Sequence, residues 1–289
     1  MIMNKYIKNL KAQNKLNICI DKTRDFSFKV GNKVIGKDFV IMAGPCSIEG
    51  EKEFIDFSYD LKNIGVDIIR GGAYKPCTFP ILDKGKNGWK EGLKEDGVHI
   101  LNSVRKEIDI PVITEVMDAN LIPALQNFTD IFQIGTRNFQ NYTLLDALGK
   151  QKVPVMLKRG TWGTIDEILG AVERIMVGGN TKVMICLRGV IGTPSYRHVF
   201  DTIRWSPDLM MIPALKELTN VPIIFDPSHS TGYSNFVEPM TKAAIVAGCD
   251  GVIIESHPDP VNSISDAAQA IDINTLENII KFSYKINKI

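Results

Sequence analysis

Arg70, Lys75, Arg137, Lys158 and Arg188 each stand at or just past the end of a short apolar run. One cation in such a place is usually solvated or salt-bridged. Gathered in one mouth, the five would repel one another unless anions lay among them. Arginine suits bidentate binding of phosphate or carboxylate, and lysine can also donate a proton or polarise a carbonyl. The set points to a small substrate with more than one negative charge, and Gly71, Gly72 and Gly135 would let backbone N–H groups approach it. Glu115 follows the third run. A second set is Cys46, His229, Glu255 and Asp266. Thiolate, imidazole and two carboxylates suit a divalent transition metal such as Mn, Zn, Fe or Co. Their separations carry no ligand signature, so core cysteine, structural carboxylates and a general base remain the alternative. Arg159 can pair elsewhere and is not counted. Asp226, before Pro227, reads as a turn or supporting carboxylate, and His257 with Asp259 as a proline-rich turn. Trp89, Trp162 and Trp205 read as packing.

The elements that must position these residues recur along the chain. Apolar runs at 39–44, 67–72, 111–116, 130–135, 154–160, 183–189, 222–228 and 251–256 have the continuous character of parallel strands buried on both faces. Helix-like segments such as 53–65, 165–179 and 236–249 lie between them, several with glycine near the end as a C-cap. Eight βα units predict a (β/α)8 TIM barrel, with a doubly wound open sheet as runner-up. Active groups of such barrels sit at the carboxyl ends of the strands, where both constellations fall. The division expected is an N-terminal extension over 1–38 and a catalytic barrel over 39–289. A β-hairpin around Gly31-Asn32 would cover the lower end of the barrel. The extension is too short for an independent regulatory domain.

Composition excludes several classes. Among 289 residues, 44% are hydrophobic and 23% charged, ordinary for a globular protein. A net charge of +1 argues against a general role on nucleic acid or membrane surfaces. No apolar run reaches the roughly 18 residues of a transmembrane helix, and the amino terminus lacks a signal peptide's apolar core. Five scattered cysteines are not a disulfide framework. A cytoplasmic location is expected.

The motifs "AGPCSIE", "RGGAYKP", "TEVMD", "QIGTRNFQN", "LKRG", "DPSHSTG" and "IESHPDP…SD", in that order over roughly residues 28 to 270, resemble the 3-deoxy-7-phosphoheptulonate synthase family, in its Iβ subgroup. The resemblance implies condensation of phosphoenolpyruvate with an aldose phosphate, erythrose 4-phosphate in that family, with release of phosphate. It implies that Cys46, His229, Glu255 and Asp266 hold a divalent metal. It implies that Arg70, Lys75, Thr78, Glu115, Gly135, Thr136, Arg137, Lys158 and Arg188 bind substrate, with Lys158, Lys75 and His229 as catalytic groups. A homo-oligomer, dimer or tetramer, is expected.

The opening loop departs from the family. "RGGAYKPCTFP" looks like the family's "RGGAYKPRTSP", but Cys77 replaces the arginine that would hold the acceptor's phosphate, and Phe79 replaces serine. Lys84, Lys86 or Arg197 replaces that charge, or the acceptor aldehyde differs. A 3-deoxy-octulosonate-8-phosphate synthase is a weaker match, because its "ANRSS"-type loop is absent. A non-catalytic barrel acting as a binding subunit is the reading from a different class, and intact Lys158 with all four metal-type residues speaks against it.

Overall fold

The computed structural model describes residues 2–13, 15–76, 91–192 and 204–286. Helix α1 (Ile2–Ala12) precedes a two-stranded antiparallel hairpin of β1 (Phe28–Val30) and β2 (Lys33–Ile35). Eight strands then alternate with helices. They are β3 (Val40–Gly44), β4 (Ile68–Arg70), β5 (Val112–Glu115), β6 (Ile131–Ile134), β7 (Val155–Lys158), β8 (Val183–Leu187), β9 (Ile223–Phe225) and β10 (Gly251–Glu255). The helices between and after them are α2 (Glu51–Ile64), α3 (Glu95–Ser103), α4 (Ile122–Leu125), α5 (Tyr142–Gly149), α6 (Ile165–Val177), α7 (Met211–Leu218), α8 (Pro227–Thr231), α9 (Ser234–Val246) and α10 (Ile273–Ile286). Every neighbouring strand pair is parallel, and β10 pairs with both β3 and β9, so the sheet closes. This is the (β/α)8 barrel that the eight apolar runs predict. No helix among the described residues is long and apolar enough to cross a membrane.

Alternation along each strand divides the apolar residues between two cores. Outward residues such as Ile69, Phe132, Leu157 and Ile254 join the layer between barrel and helices. Inward residues Met42, Ile68, Ile113, Ile131, Met156, Cys186, Ile224 and Ile253 fill the barrel. Phe28, Val30 and Ile35 belong to that same inner cluster. The hairpin therefore plugs the amino-terminal end, as its position ahead of the first barrel strand suggested. Its turn residue Gly31, at φ 54°, packs on Pro111, one residue before β5.

Local signals set the helix ends. Thr164 and Glu167 form a reciprocal capping box at the start of α6. Gly65, in the left-handed region at φ 101°, closes α2. Helix α1 is not among the sequence expectations. The segment after it is tied to the barrel through Glu173 on α6, whose carboxylate accepts from the backbone N–H groups of Asn17, Ile18 and Cys19 at 2.7, 2.8 and 2.8 Å. Hydrogen bonds to a charged group contribute about 1.5–3 kcal/mol each, and a buried donor left alone costs a similar amount. Glu173→Ala should lower the unfolding free energy by about 2–4 kcal/mol in urea titration. Glu173→Gln, which keeps one acceptor oxygen, should lose less. Equal stability of all three proteins would show that the strap contributes nothing.

Candidate active site

One step beyond the inner apolar layer, the barrel changes character. The next inward positions toward the carboxyl ends are Gly44, Arg70, Glu115, Gln133, Lys158, Arg188, Asp226 and Glu255, and all are buried. A charged group taken from water needs a partner, and most find it in this ring. Lys158 Nζ donates to Asp226 Oδ2 at 2.6 Å. Arg70 Nη1 lies 2.8 Å from Glu255 Oε1. Gln133 Nε2 donates to Glu115 Oε2 at 3.3 Å.

The metal-type residues come together. Cys46 follows β3, His229 lies on α8, Glu255 ends β10, and Asp266 sits in the following loop in the left-handed region at φ 58°. One ligand atom from each lies within 4.8 Å of all the others. Cys46 Sγ is 2.9 Å from Asp266 Oδ2, and His229 Nε2 is 3.3 Å from Glu255 Oε1 and 3.8 Å from Asp266 Oδ2. Glu255 Oε1 is buried and, although ion-paired with Arg70, accepts no well-directed hydrogen bond among the described residues, while Oε2 is taken by Gln269 Nε2. His229 Nδ1 points the other way, 2.9 Å from Asp226 Oδ2. An imidazole whose outer nitrogen faces a carboxylate turns its inner nitrogen to a metal in a fixed orientation.

Ionisation of the set fits the same purpose. Burial would raise the Glu255 pKa, but His229 and then Arg70 outweigh it and hold the carboxyl low. Asp266 is likewise lowered against its burial, by His229 and Arg204, and Asp226 is held well down by His229 and Lys158. Burial pulls His229 down, with Asp226 and Glu255 opposing. Burial, followed by Glu255, pushes the Cys46 thiol up to about 12, although Lys75 pulls it back. The carboxylates are thus ready as ligands and the thiol is not. A divalent cation there would supply the missing positive charge and ionise it. The four residues fit such an ion.

The five cations converge on this mouth but are not a separate cluster. Lys75 Nζ donates to Cys46 Sγ at 2.7 Å. Burial would lower its pKa, but Cys46 and Glu115 outweigh that and raise it. Arg137, exposed, donates from Nη1 to the Pro76 carbonyl at 3.1 Å. Arg188 lies against Trp205, its guanidinium carbon 5.5 Å from the ring centre. Gly135 packs directly on the Glu115 carboxylate, and Thr136 Oγ1 donates to the Arg159 carbonyl at 3.3 Å. Arg159 itself turns away, to Asp208 at 2.9 Å and the Gly163 carbonyl at 2.8 Å. Thr78, with Cys77, Phe79, Lys84, Lys86, Trp89, Arg197 and His198, lies outside the described residues.

Three residues matter more here than their sequence context suggests. Asp226 caps α8, accepting from the His229 N–H at 2.9 Å, and also joins Lys158 to His229. Its signal is the two-residue step from Ile224, which puts it on the inner face. Gln133 carries the same signal from Ile131. Arg204 contacts Asp266 Oδ1, and no apolar run marks it.

Comparison with known proteins agrees with this architecture. The profile of the DAHP synthetase I family matches residues 13–289. The phospho-2-dehydro-3-deoxyheptonate aldolase of Thermotoga maritima is 36% identical over 258 residues, covering 89% of this chain and 71% of that protein. Its crystal structure aligns with a TM-score of 0.85 at 34% identity, over 94% of this chain and 77% of that one. A truncated form of 3-deoxy-D-arabino-heptulosonate 7-phosphate synthase from the same organism gives 0.81 at 33%, covering 92% of this chain and 94% of that one. The 2-dehydro-3-deoxyphosphooctonate aldolase of Acidithiobacillus ferrooxidans is more distant, 25% identical over 87% of this chain and 90% of its own length. With a family profile spanning nearly its whole length and the motif residues gathered in one barrel mouth, the chain belongs to the DAHP synthetase I family.

Proposed function

We propose that this chain condenses phosphoenolpyruvate with erythrose 4-phosphate, giving 3-deoxy-D-arabino-heptulosonate 7-phosphate and phosphate, the first step of the shikimate pathway. The observation that carries the reading is the meeting of substrate-type cations and four metal-type ligand atoms in one buried mouth. The family relationship supports the reaction class. The catalytic body is the barrel from residue 39, with residues 1–38 as its cap. A cytoplasmic homo-oligomer, dimer or tetramer, belongs to the same proposal.

Residue roles follow from charge and position. Arg70, Lys75, Arg137, Lys158 and Arg188 hold the carboxylate and phosphate of phosphoenolpyruvate and aim its enol carbon at the aldehyde. Glu115, Gly135, Thr136 and Thr78 shape the space around it. Cys46, His229, Glu255 and Asp266 would hold a divalent Mn, Zn, Fe or Co ion. A metal held there would supply Lewis-acid polarisation of the aldehyde oxygen or activation of water. Lys158 donates a proton or stabilises developing charge, and Asp226 keeps its ammonium in place. Carbon 3 of the enol forms the new bond, water adds at carbon 2, and phosphate leaves.

A second reading, a different acceptor aldehyde, is favoured by Cys77 and Phe79, where the family carries a phosphate-binding arginine and a serine. Losing such a contact costs about 1.5–3 kcal/mol, roughly ten- to a hundredfold in affinity.

Dialysis against chelator should abolish phosphate release, and Mn²⁺, Zn²⁺ or Co²⁺ should restore it. Cys46→Ala should lose metal without unfolding. Undiminished turnover by metal-free protein would remove the metal from the mechanism. With erythrose 4-phosphate, mass spectrometry should find the seven-carbon product. Phosphoenolpyruvate binding without turnover of that aldehyde would favour the second reading. Asp226→Asn preserves an N-cap residue on α8 but removes the charge shared by Lys158 and His229. It should reduce kcat and metal affinity by about 10- to 100-fold. Wild-type values for both would show that the shared carboxylate is not needed.

A further inference from the structure

Arg188 continues the inward face of β8 beyond Cys186, and it is only 7% exposed. Among the described residues no carboxylate lies within ion-pair distance of it, unlike Arg70 and Lys158. A nearly buried guanidinium loses hydration, and burial does pull its pKa down, with Asp226 opposing. What faces it is the Trp205 ring, 5.5 Å from the guanidinium carbon. An indole face attracts a cation through its quadrupole. It accepts none of the guanidinium's directed N–H bonds, so those donors stay available for an anion.

The seat of this indole is built into the backbone. Val190 and Ser206 exchange two hydrogen bonds at 3.0 Å, which fixes the segment beside the exit of β8. The N–H groups of Trp205 and Arg204 donate to the carbonyls of Ser230 and Thr231 at 3.2 and 3.3 Å, next to His229. Gly189, directly after Arg188, has φ +84°, and a Cβ there would lie 2.9 Å from Trp205 Cβ and 3.0 Å from the Ser206 carbonyl oxygen. Only glycine lets the tryptophan come this close to the backbone that carries Arg188. Plain packing of Trp205, as the sequence suggests, does not account for a half-buried ring set against a guanidinium that has no counter-ion among the described residues.

We infer that Trp205 is a positioning residue for Arg188, holding its guanidinium in the mouth by a cation–π contact that leaves the N–H donors free for the substrate's anionic group. The inference rests on the reading of Arg188 as a phosphoenolpyruvate-binding cation.

Calorimetric titration of phosphoenolpyruvate into the native 289-residue chain, R188A, W205L and W205F tests it. Trp205→Leu keeps apolar bulk without a π face, and should raise Kd about three- to thirtyfold. Its kcat at saturating phosphoenolpyruvate should change less than about twofold. Trp205→Phe restores an aromatic face and should recover most of the affinity. Native affinity in W205L, with binding lost in R188A, would overturn the inference and leave the reading of the site intact. No binding by the native chain would overturn the reading and the inference with it. A second measurement keeps Trp205 in place, in case W205L folds poorly. In W89F/W162F protein, where Trp205 is the remaining tryptophan, phosphoenolpyruvate should shift or quench the emission in a saturable way. Saturable binding with unchanged emission would count against the contact.

Discussion

Asp226 Oδ2 lies 2.6 Å from Lys158 Nζ and 2.9 Å from His229 Nδ1, fully buried, and the mouth is arranged around that oxygen. A carboxylate this deep is strongly disfavoured alone, by several kcal/mol even after relaxation. It is tolerable here because two positive or hydrogen-bearing groups converge on it, and because Oδ1 caps α8 at the His229 N–H. The same residue therefore fixes the helix that carries His229, the direction of the imidazole and the position of the Lys158 ammonium. Both partners thereby stand side by side above the apolar layer of Met156, Cys186 and Ile224, with His229 Nε2 left to face Glu255.

Interlocking of the cationic and metal-type sets follows from the same constraint. Arg70 reaches Glu255 and Lys75 reaches Cys46, so cations suited to a substrate lie against atoms suited to a metal. On the proposed function, an anion and a divalent cation entering together would relieve both sets: the anion would draw on Arg70 and Lys75, and the metal would take over Glu255 and Cys46. Either one alone leaves part of the layer less well neutralised. Favourable coupling between metal and phosphoenolpyruvate binding would be the electrostatic consequence of that proposal.

Much of this was legible in the sequence because the strands are buried on both faces. Each apolar run marks a barrel strand, and the polar residue that ends it marks the mouth, as at Arg70, Glu115, Lys158 and Glu255. The hairpin was legible from the Gly31-Asn32 turn. Helix α8 was not, since "DPSHST" has the proline and small polar residues of a turn; only the N-cap bond from Asp226 and Pro227 in the first turn make it a helix. Helix α1, rich in lysine, gave no apolar run to follow. Arg204 and Trp205 were illegible for a different reason. Their importance comes from contacts with Asp266 and Arg188, distant in sequence, and from a glycine whose φ the chain alone does not state.

The two ends of the barrel are physically unlike, and that asymmetry decides what the mouth can do. Phe28, Val30 and Ile35 close the amino-terminal end against the inner apolar cluster. The charged layer above is thereby backed by hydrocarbon and faces outward through the carboxyl ends of the strands. Low polarizability beneath strengthens every interaction within the layer, between its own members and with whatever enters. Arg188 shows the result most plainly. With an indole beside it and no carboxylate within ion-pair distance among the described residues, its charge is directed to the mouth. If Arg188 binds substrate as proposed, an anion arriving there would meet a cation whose desolvation was already overcome during folding, and binding would recover more of the attraction than it would from a hydrated surface arginine.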